Sequence, residues 1–323
     1  MKFVFAALVP IAFLLSSTSR AQSTDLHLVP SFEQVFHDLP TEPTQTIFLE
    51  YHRTFDPSGG HLQGIQRWGD SLLYLSGSTE THSYMALGNT QSNRILGVDR
   101  LMPAPFRHAG GFQIYGRYLA VGIEDNQKRT ISRVQIYDLQ AANPWALPRY
   151  TLPREGAYER VTAGAVGLTA YRKKLWLLVA NWDSRNLDIY SCPKAAFEKG
   201  SGSFVLEFSL DMKAHSRSSW SDPVWNSYQN INLFTDQQER LYLVGTGRDE
   251  QGNHYADLFE LLLHTPGATI QKLAGKVFYP GQPVDFKAAA GLVMGTDGSL
   301  ELVGAPYQLE DRTRIDVFAS QPR

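Results

Sequence analysis

The segment HLQGIQ at residues 61–66 returns as HAGGFQ at residues 108–113. Three looser copies follow along the chain, namely TAGAVG (162–167), SYQNIN (227–232) and AAAGLV (288–293). Each copy is short, contains glycine or another small residue, and leads into a turn. Recurrence of one unit along a chain is typical of a repeat architecture, so this unit decides the fold.

Each opening segment is followed by further predicted strands. A more apolar second strand is predicted at residues 72–75, 118–123, 175–179, 241–244 and 300–303. A third strand with apolar and polar residues in alternation follows at residues 83–87, 133–139, 186–190, 256–262 and 314–318. A fourth strand is predicted in the first four units, at residues 94–99, 149–152, 204–210 and 269–277. The pattern predicts an all-β chain of four-stranded antiparallel units.

The fifth unit lacks a fourth strand of its own, whereas an additional strand at residues 46–54 precedes the first unit. We expect this N-terminal strand to pair with the last unit, because a closed ring hides sheet edges. A pair of β-sandwiches or a lipocalin-like barrel does not explain the five-fold recurrence.

The recurring unit resembles β-propeller repeats in general, over residues 46–320. The resemblance depends on the Gly-Ile-Gln and Gly-Phe-Gln openings and on alternating strands that end in Ile136-Tyr137, Ile189-Tyr190 and Val317-Phe318. It implies a five-bladed β-propeller with four antiparallel strands per blade, the last blade being closed by the N-terminal strand. It points to no characterised family and to no activity.

The N-terminus has the pattern of a secretory signal peptide, predicted at residues 1–21. Lys2 precedes an apolar run, and Ser19-Arg20-Ala21 has small residues where a signal peptidase requires them. An uncleaved anchor is the alternative. Residues 22–45 are predicted as a segment with a short helix beginning at Ser31 and a proline-bearing linker, and residues 46–323 as a single domain. The protein is therefore expected to be secreted or periplasmic, without an integral membrane segment after cleavage.

Charge and cysteine content limit the possible partners. The chain has 30 Lys and Arg against 32 Asp and Glu, a formal net charge of -2, so nucleic acid is not an expected partner. Cys192 is the one cysteine, which excludes an internal disulfide. An inert buried thiol and an intermolecular disulfide both remain open.

The propeller hypothesis also predicts where a ligand would bind. Loops before the first strands and loops between second and third strands would meet on one face, around the axis. They predict a ring-shaped cluster that comprises His61, His108, Glu124, Asp183, Arg248 and Tyr307, with Trp220 and Trp225 nearby. Aromatic faces beside hydrogen-bonding groups suit sugars or peptides. The alternative is that these are ordinary solvated loop residues.

Two pairs of residues occupy equivalent repeat positions. His61 and His108 are predicted either to fix backbone groups or to hold calcium or another divalent cation in the central channel; no other cofactor is expected. Gln66 and Gln113 are predicted to satisfy backbone groups along the channel.

Two functions remain open from the sequence. The first is an exported binding protein that recognises a glycan, a peptide or a partner protein on its loop face. The alternative is a secreted glycosidase-like or nucleotidase-like hydrolase that uses the carboxylates of Glu124 and Asp183. The sequence has no G-x-S-x-G, H-E-x-x-H, P-loop or dinucleotide-binding motif.

Overall fold

The computed structural model of the protein describes residues 29–52, 55–264 and 267–322. Within these ranges the chain forms twenty β-strands, two short α-helices and one turn of 3-10 helix, so it is all-β as predicted. The predicted signal peptide lies outside the described residues. No helix in the described ranges is long and apolar enough to cross a membrane.

The strands form five groups of four, each with antiparallel neighbours. The first contains β2 Leu62–Trp68, β3 Leu72–Ser78, β4 His82–Asn89 and β5 Arg94–Pro103. The second contains β6 His108–Tyr115, β7 Tyr118–Glu124, β8 Ile131–Asp138 and β9 Tyr150–Glu155. The third contains β10 Ala165–Tyr171, β11 Lys174–Ala180, β12 Asn186–Pro193 and β13 Val205–Asp211. The fourth contains β14 Asn230–Thr235, β15 Leu241–Arg248, β16 His254–His264 and β17 Gly267–Phe278. The fifth contains β18 Val284–Met294, β19 Leu300–Pro306, β20 Arg312–Ala319 and β1 Gln45–Glu50.

The N-terminal strand completes the last group, as predicted. β1 runs antiparallel to β20, from the pair Gln45 and Val317 to the pair Glu50 and Arg312. The strand was predicted at residues 46–54, but β1 ends at Glu50. Beyond it, the backbone N–H of Tyr51 donates to Asp311 O, and residues 53 and 54 lie outside the described residues. The two ends of the described chain are thereby joined in one sheet.

Isolated bridges connect neighbouring groups. One of them pairs Ala165 of β10 with Gly111 of β6, and such bridges merge four groups into one sixteen-stranded sheet. The fourth group remains a separate four-stranded sheet. The arrangement is that of a β-propeller, but the hydrogen-bonded sheets do not by themselves delimit five separate blades.

The first strand of each group lies at the centre, where small residues permit a close approach. A Cβ atom added to Gly110 would lie 2.2 Å from Gly164 O, and one added to Gly291 would lie 2.1 Å from Ile65 O. Real Cβ atoms do not tolerate such distances. The recurring glycines therefore allow neighbouring inner strands to pack backbone against backbone.

The two repeated glutamines connect these inner strands, as predicted. Gln66 donates to Leu292 O over 2.9 Å and accepts from the backbone N–H of Ile114 over 2.6 Å. Gln113 donates to Leu233 O, and its amide oxygen accepts from the backbone N–H groups of Leu168 and Leu233. Both amides thus form hydrogen bonds to backbone groups of neighbouring inner strands.

Replacing Gln113 with Met is expected to lower the free energy of unfolding by roughly 3 kcal/mol, because it leaves buried backbone groups of two strands without partners. Guanidinium denaturation measures this difference. Gln140→Met, at an exposed position, is the matched control and should change the stability little. If both variants unfold alike, the amide of Gln113 has no structural role.

The predicted N-terminal helix is present as α1, Phe32–His37. Ser31 precedes it, and its Oγ accepts a hydrogen bond from Gln34 N. Phe32 stacks on Phe234 with ring centroids 4.5 Å apart. The helix therefore packs on the fourth group through its apolar face, as the spacing of its apolar residues indicated.

The second helix, α2, spans Lys194–Glu198 and is followed by Gly200 in the left-handed region. It covers Cys192, which is fully buried beside Phe197 and Phe204. Burial raises the pKa of the thiol, which keeps it protonated and unreactive. This environment favours the inert thiol over an intermolecular disulfide.

Candidate functional site

A cavity of about 420 Å³ lies where the five groups meet. All six residues of the predicted cluster line it, and every group contributes to it. The lining residues are His61, Gln63, His108, Glu124, Gly164, Asn181, Trp182, Asp183, Tyr228, Gln229, Arg248, Asp285, Lys287 and Tyr307. The structure thus brings the six residues together, while their function stays a prediction.

At the base of this cavity His108 and Glu124 face each other across β6 and β7, which pair at these two positions. Glu124 has no exposed surface, and its Oε2 accepts from Ala163 N over 2.7 Å. Its Oε1 lies 3.3 Å from Nδ1 of His108. The carboxylate therefore faces the inner nitrogen of an imidazole that lines the cavity.

The second histidine, His61, has a different environment. Its ring stacks on Tyr307 at 4.2 Å and meets the ring of His108 edge-on at 5.9 Å. Burial lowers the pKa of His61 to about 4, opposed by its contact with Leu62 O and assisted by His108. The ring of His61 is therefore neutral at physiological pH.

The pKa of His61 predicts a pH-dependent stability. The unfolded chain binds its proton near pH 6.5 and the folded chain only near pH 4, so the contribution is complete above pH 6.5 and is lost between these values. We expect a loss of about 2 kcal/mol on acidification, after allowance for solvent screening.

Melting temperatures of the wild type and of His61→Gln between pH 4 and pH 7 test this. The variant should depend less steeply on pH, with a residual slope because burial also lowers the pKa of His82 and His254. His37→Gln, on the exposed face of α1, is the control. Equal slopes for His61→Gln and the wild type would contradict the assignment.

No observation in the structure tests whether a metal lies between the two histidines. Nδ1 of His61 lies 2.9 Å from Leu62 O, which fits a backbone-fixing role. Among the described residues there is no group of three or more His, Cys, Asp or Glu side chains that could hold a metal ion. A divalent cation bound by His61 and His108 therefore stays an untested prediction.

The accessible carboxylates of the cavity are paired with cations. Asp285 lies 3.0 Å from Arg248. Asp183 pairs with Arg185 and accepts a hydrogen bond from Ser227 over 2.9 Å. These two carboxylates are consequently hydrogen-bond acceptors with fixed positions.

Asp183 lies on a strained corner. A 3-10 turn spans Trp182–Ser184, and Asp183 and Ser184 adopt positive φ angles of 60° and 54°. Two hydrogen bonds fix the turn: Trp182 N donates to Thr162 Oγ1, and Ser184 Oγ donates to Tyr228 O. Strain of this kind persists only where the surroundings enforce it, and it is concentrated at functional sites.

Only part of the aromatic surface is free to contact a ligand. The ring of Trp182 lies between the guanidinium of Arg129, 3.8 Å away, and the ring of His108. Tyr307 is 49% exposed and has only one face against His61. Tyr307 therefore offers a ring face to the cavity.

The structure does not bring Trp220 to the cavity. Trp220 is buried, donates its indole N–H to Ile270 O and packs on Phe259, so it belongs to the core between the third and fourth groups. Trp225 is half-buried and lines a second depression that shares Asp183 and Arg248 with the cavity. The sequence shows that both tryptophans belong to one loop. It does not show that the ring of Trp220 is buried in the core whereas the ring of Trp225 is partly exposed.

Sequence reasoning missed two charged residues at the cavity, Asp285 and Lys287. They lie just before the fifth opening segment. Because the side chains of a strand alternate between its faces, residues 285 and 287 point to the same side. The spacing of two charged residues directly before a predicted strand was therefore the signal by which the sequence could have indicated them.

Fold and cavity together define a β-propeller protein with a candidate site at the meeting point of its inner strands. No family model matches the chain, and no curated protein matches it. Among solved structures it is similar to a bifunctional GH43-CE protein of Bacteroides eggerthii, with 11% identity and a TM-score of 0.46, covering 83% of this chain and 34% of that one. The chain thus spans about a third of that protein's length.

Two further similar structures have comparable scores. The α-L-arabinofuranosidase PaAbf62A of Podospora anserina has 10% identity and a TM-score of 0.46, with 88% of this chain and 99% of that one covered. The GH43_1 enzyme of Xanthomonas citri has 9% identity and a TM-score of 0.41, with 89% and 92% covered. At these identities and scores the similarities carry no argument about what this chain does.

Proposed function

We propose that the protein is an exported five-bladed β-propeller that hydrolyses a carbohydrate bound in the central cavity. The five groups of strands are its blades, and β1 closes the last of them. Supporting the blade count, β1 pairs with β20, and glutamine amides connect inner strands of neighbouring groups. The predicted signal peptide supports export.

The observation that carries the hydrolytic function is the contact between His108 and Glu124. In this structure Nδ1 of His108 lies within ion-pair distance of Oε1 of the buried carboxylate, and neither atom has another hydrogen-bond partner among the described residues. A small shift would let Nδ1 donate to Glu124, which would hold the imidazole in one tautomer with its outer nitrogen free to accept a proton. His108 is thus the candidate general base: it takes a proton from a water that attacks the substrate carbon, and the imidazolium returns that proton to the departing oxygen as the scissile C–O bond breaks. Glu124, with no exposed surface, is a positioning residue and does not touch the substrate.

A carbohydrate fits the rest of the cavity. Tyr307 supplies a ring face for stacking, and Gln63 and Gln229 supply amide groups. Asp183, fixed by Arg185 and Ser227, is suited to accept sugar hydroxyl groups rather than to donate a proton. The acids are matched by cations in contact with them, so an uncharged ligand is favoured over a polyanion.

Binding without turnover is the second candidate. It is favoured by the ion pairs of Asp183 and Asp285, because a glycosidase ordinarily presents two free carboxyl groups to one sugar. A peptide or protein ligand would belong to this candidate. The two candidates differ in the role of His108. In a hydrolase His108 determines the rate of turnover, whereas in a binding protein it can affect only the affinity for the ligand.

The test uses the purified chain without its predicted signal peptide. We expect turnover of members of a panel of p-nitrophenyl glycosides and acetylated sugars, and a loss of roughly 10²–10⁴ in rate for His108→Gln, as for removal of a general base. Titration calorimetry with the unmodified sugars should show that the variant still binds. Sugar binding without turnover would favour the second candidate, and absence of both would overturn the carbohydrate proposal.

A further inference from the structure

A second depression, of about 480 Å³, adjoins the central cavity. The two share four lining residues, namely Asp183, Gln229, Arg248 and Lys287. Beyond this shared boundary the depression is lined by aromatic and amide side chains, among them Trp225, Asn226, Gln251 and Tyr255. A ligand in the cavity therefore has a continuous path outward past Arg248 and Lys287.

One wall of the depression is a turn whose shape is fixed. The carboxylate of Asp249 accepts hydrogen bonds from the backbone N–H and the side-chain amide of Asn253, at 2.8 Å and 2.9 Å. These bonds place Glu250 and Gln251 at the tip of the turn. A wall ordered before binding reduces the entropy lost when a ligand is held.

The part of the lining that contains Trp225 is also anchored. The indole N–H of Trp225 donates to Ser184 O over 3.1 Å, and its ring packs edge-on against Tyr228 at 4.8 Å. Ser184 belongs to the strained corner that also holds Asp183. This hydrogen bond thus connects the lining of the second depression to the lining of the central cavity. The distance between the two is therefore fixed.

The charges of the depression select the chemistry of its occupant. Asp183 pairs with Arg185, and Arg248 pairs with Asp285. The exposed side chains of Glu250 and Lys287, which both line the depression, carry opposite charges. A uniformly charged polymer would be repelled by one of them, whereas a neutral chain of hydroxyl-bearing units meets hydrogen-bonding groups throughout.

We propose that the substrate is a neutral oligosaccharide of at least two units, with one unit in the central cavity and the next against Trp225 and Gln251. This inference rests on the proposed carbohydrate function and deepens it by naming the substrate class. A single sugar would occupy the cavity alone and leave the adjoining wall unused.

The test compares p-nitrophenyl glycosides that carry one, two or three xylose or glucose units. With the wild type, kcat/KM should rise by roughly tenfold or more from the single sugar to the longer chains, which corresponds to about 1.4 kcal/mol of additional binding. The combined variant Trp225→Phe with Gln251→Ala should lose most of this length preference. Phe retains the aromatic packing against Tyr228, and circular dichroism checks that the variant is folded.

Gln140→Ala, at an exposed position of a turn after β8, is the matched control and should retain the length preference. Equal kcat/KM for all chain lengths would overturn the inference and leave the proposed hydrolase intact. A length preference unaffected by the combined variant would also overturn it. No turnover and no binding at any length would instead mean that the proposed function itself is wrong.

Discussion

Replacing Glu124 with Gln is expected to lower kcat by roughly 10³–10⁴ while leaving the fold intact, in line with the loss of an imidazole-orienting carboxylate elsewhere. The amide oxygen of Gln can still accept from Ala163 N, so the backbone contact at this site persists. Its amide NH₂ would face Nδ1 of His108 and donate to it. The proton of the imidazole is then forced onto the outer nitrogen, which can no longer accept one from water.

The pH profile of kcat/KM and the tautomer of His108 distinguish this effect from a general loss of folded structure. In the wild type the carboxylate stabilises the imidazolium that forms as the base accepts a proton; the amide does not. We therefore expect the pH profile of kcat/KM to change in Glu124→Gln, and nitrogen NMR of His108 to show the opposite tautomer. Glu80→Gln, at an exposed loop position, is the control. An unchanged profile and tautomer would show that Glu124 does not act through His108.

Much of the fold follows from local sequence patterns. The opening segments around Gly64 and Gly111 mark the inner strands because only small residues tolerate the distances found there. The pairing of β1 with β20 was predictable from counting, since the fifth unit lacked a fourth strand. The bridges that merge sheets were not predictable, because single contacts between strands far apart in the sequence leave no periodic pattern.

The position of the candidate site was predictable from the sequence, but the contacts among its residues were not. Fold geometry placed the loops of His61, His108, Glu124, Asp183, Arg248 and Tyr307 on one face, and the structure brings these residues around one cavity. Sequence could not show that Glu124 is wholly buried behind His108, since this depends on strand register. It also could not assign Trp220 to the core, because one long loop carries both buried and half-exposed aromatic rings.

That long loop, residues 212–229, is held by a buried lysine. Lys272 of β17 is 2% exposed, and its Nζ donates to Asp222 over 2.8 Å and to Val224 O over 3.3 Å. The same Nζ lies 3.1 Å from Asp257, whose carboxylate also accepts from Tyr228. Burial and the neighbouring carboxylate raise the pKa of Tyr228, which keeps it a donor. One ammonium group thereby connects the loop to the fourth group of strands.

Replacing Lys272 with Met is expected to cost about 3–5 kcal/mol of unfolding free energy, because the change leaves the Asp257 carboxylate buried without a cation. The loop that supplies Trp225, Tyr228 and Gln229 to the central cavity and the second depression would then lose its anchor. Guanidinium denaturation measures the cost, and limited proteolysis within residues 213–219 reports the release of the loop.

The double variant Lys272→Met with Asp257→Asn separates charge from packing. Removing the carboxylate as well eliminates the uncompensated charge, so the double variant should be more stable than Lys272→Met alone, although Tyr228 keeps only a weaker acceptor. A surface pair, Lys174 and Glu207, provides the control, since breaking an exposed ion pair costs at most about 1 kcal/mol. If Lys272→Met costs no more than Lys174→Met, the loop is held by its aromatic contacts and the buried ion pair is not its anchor.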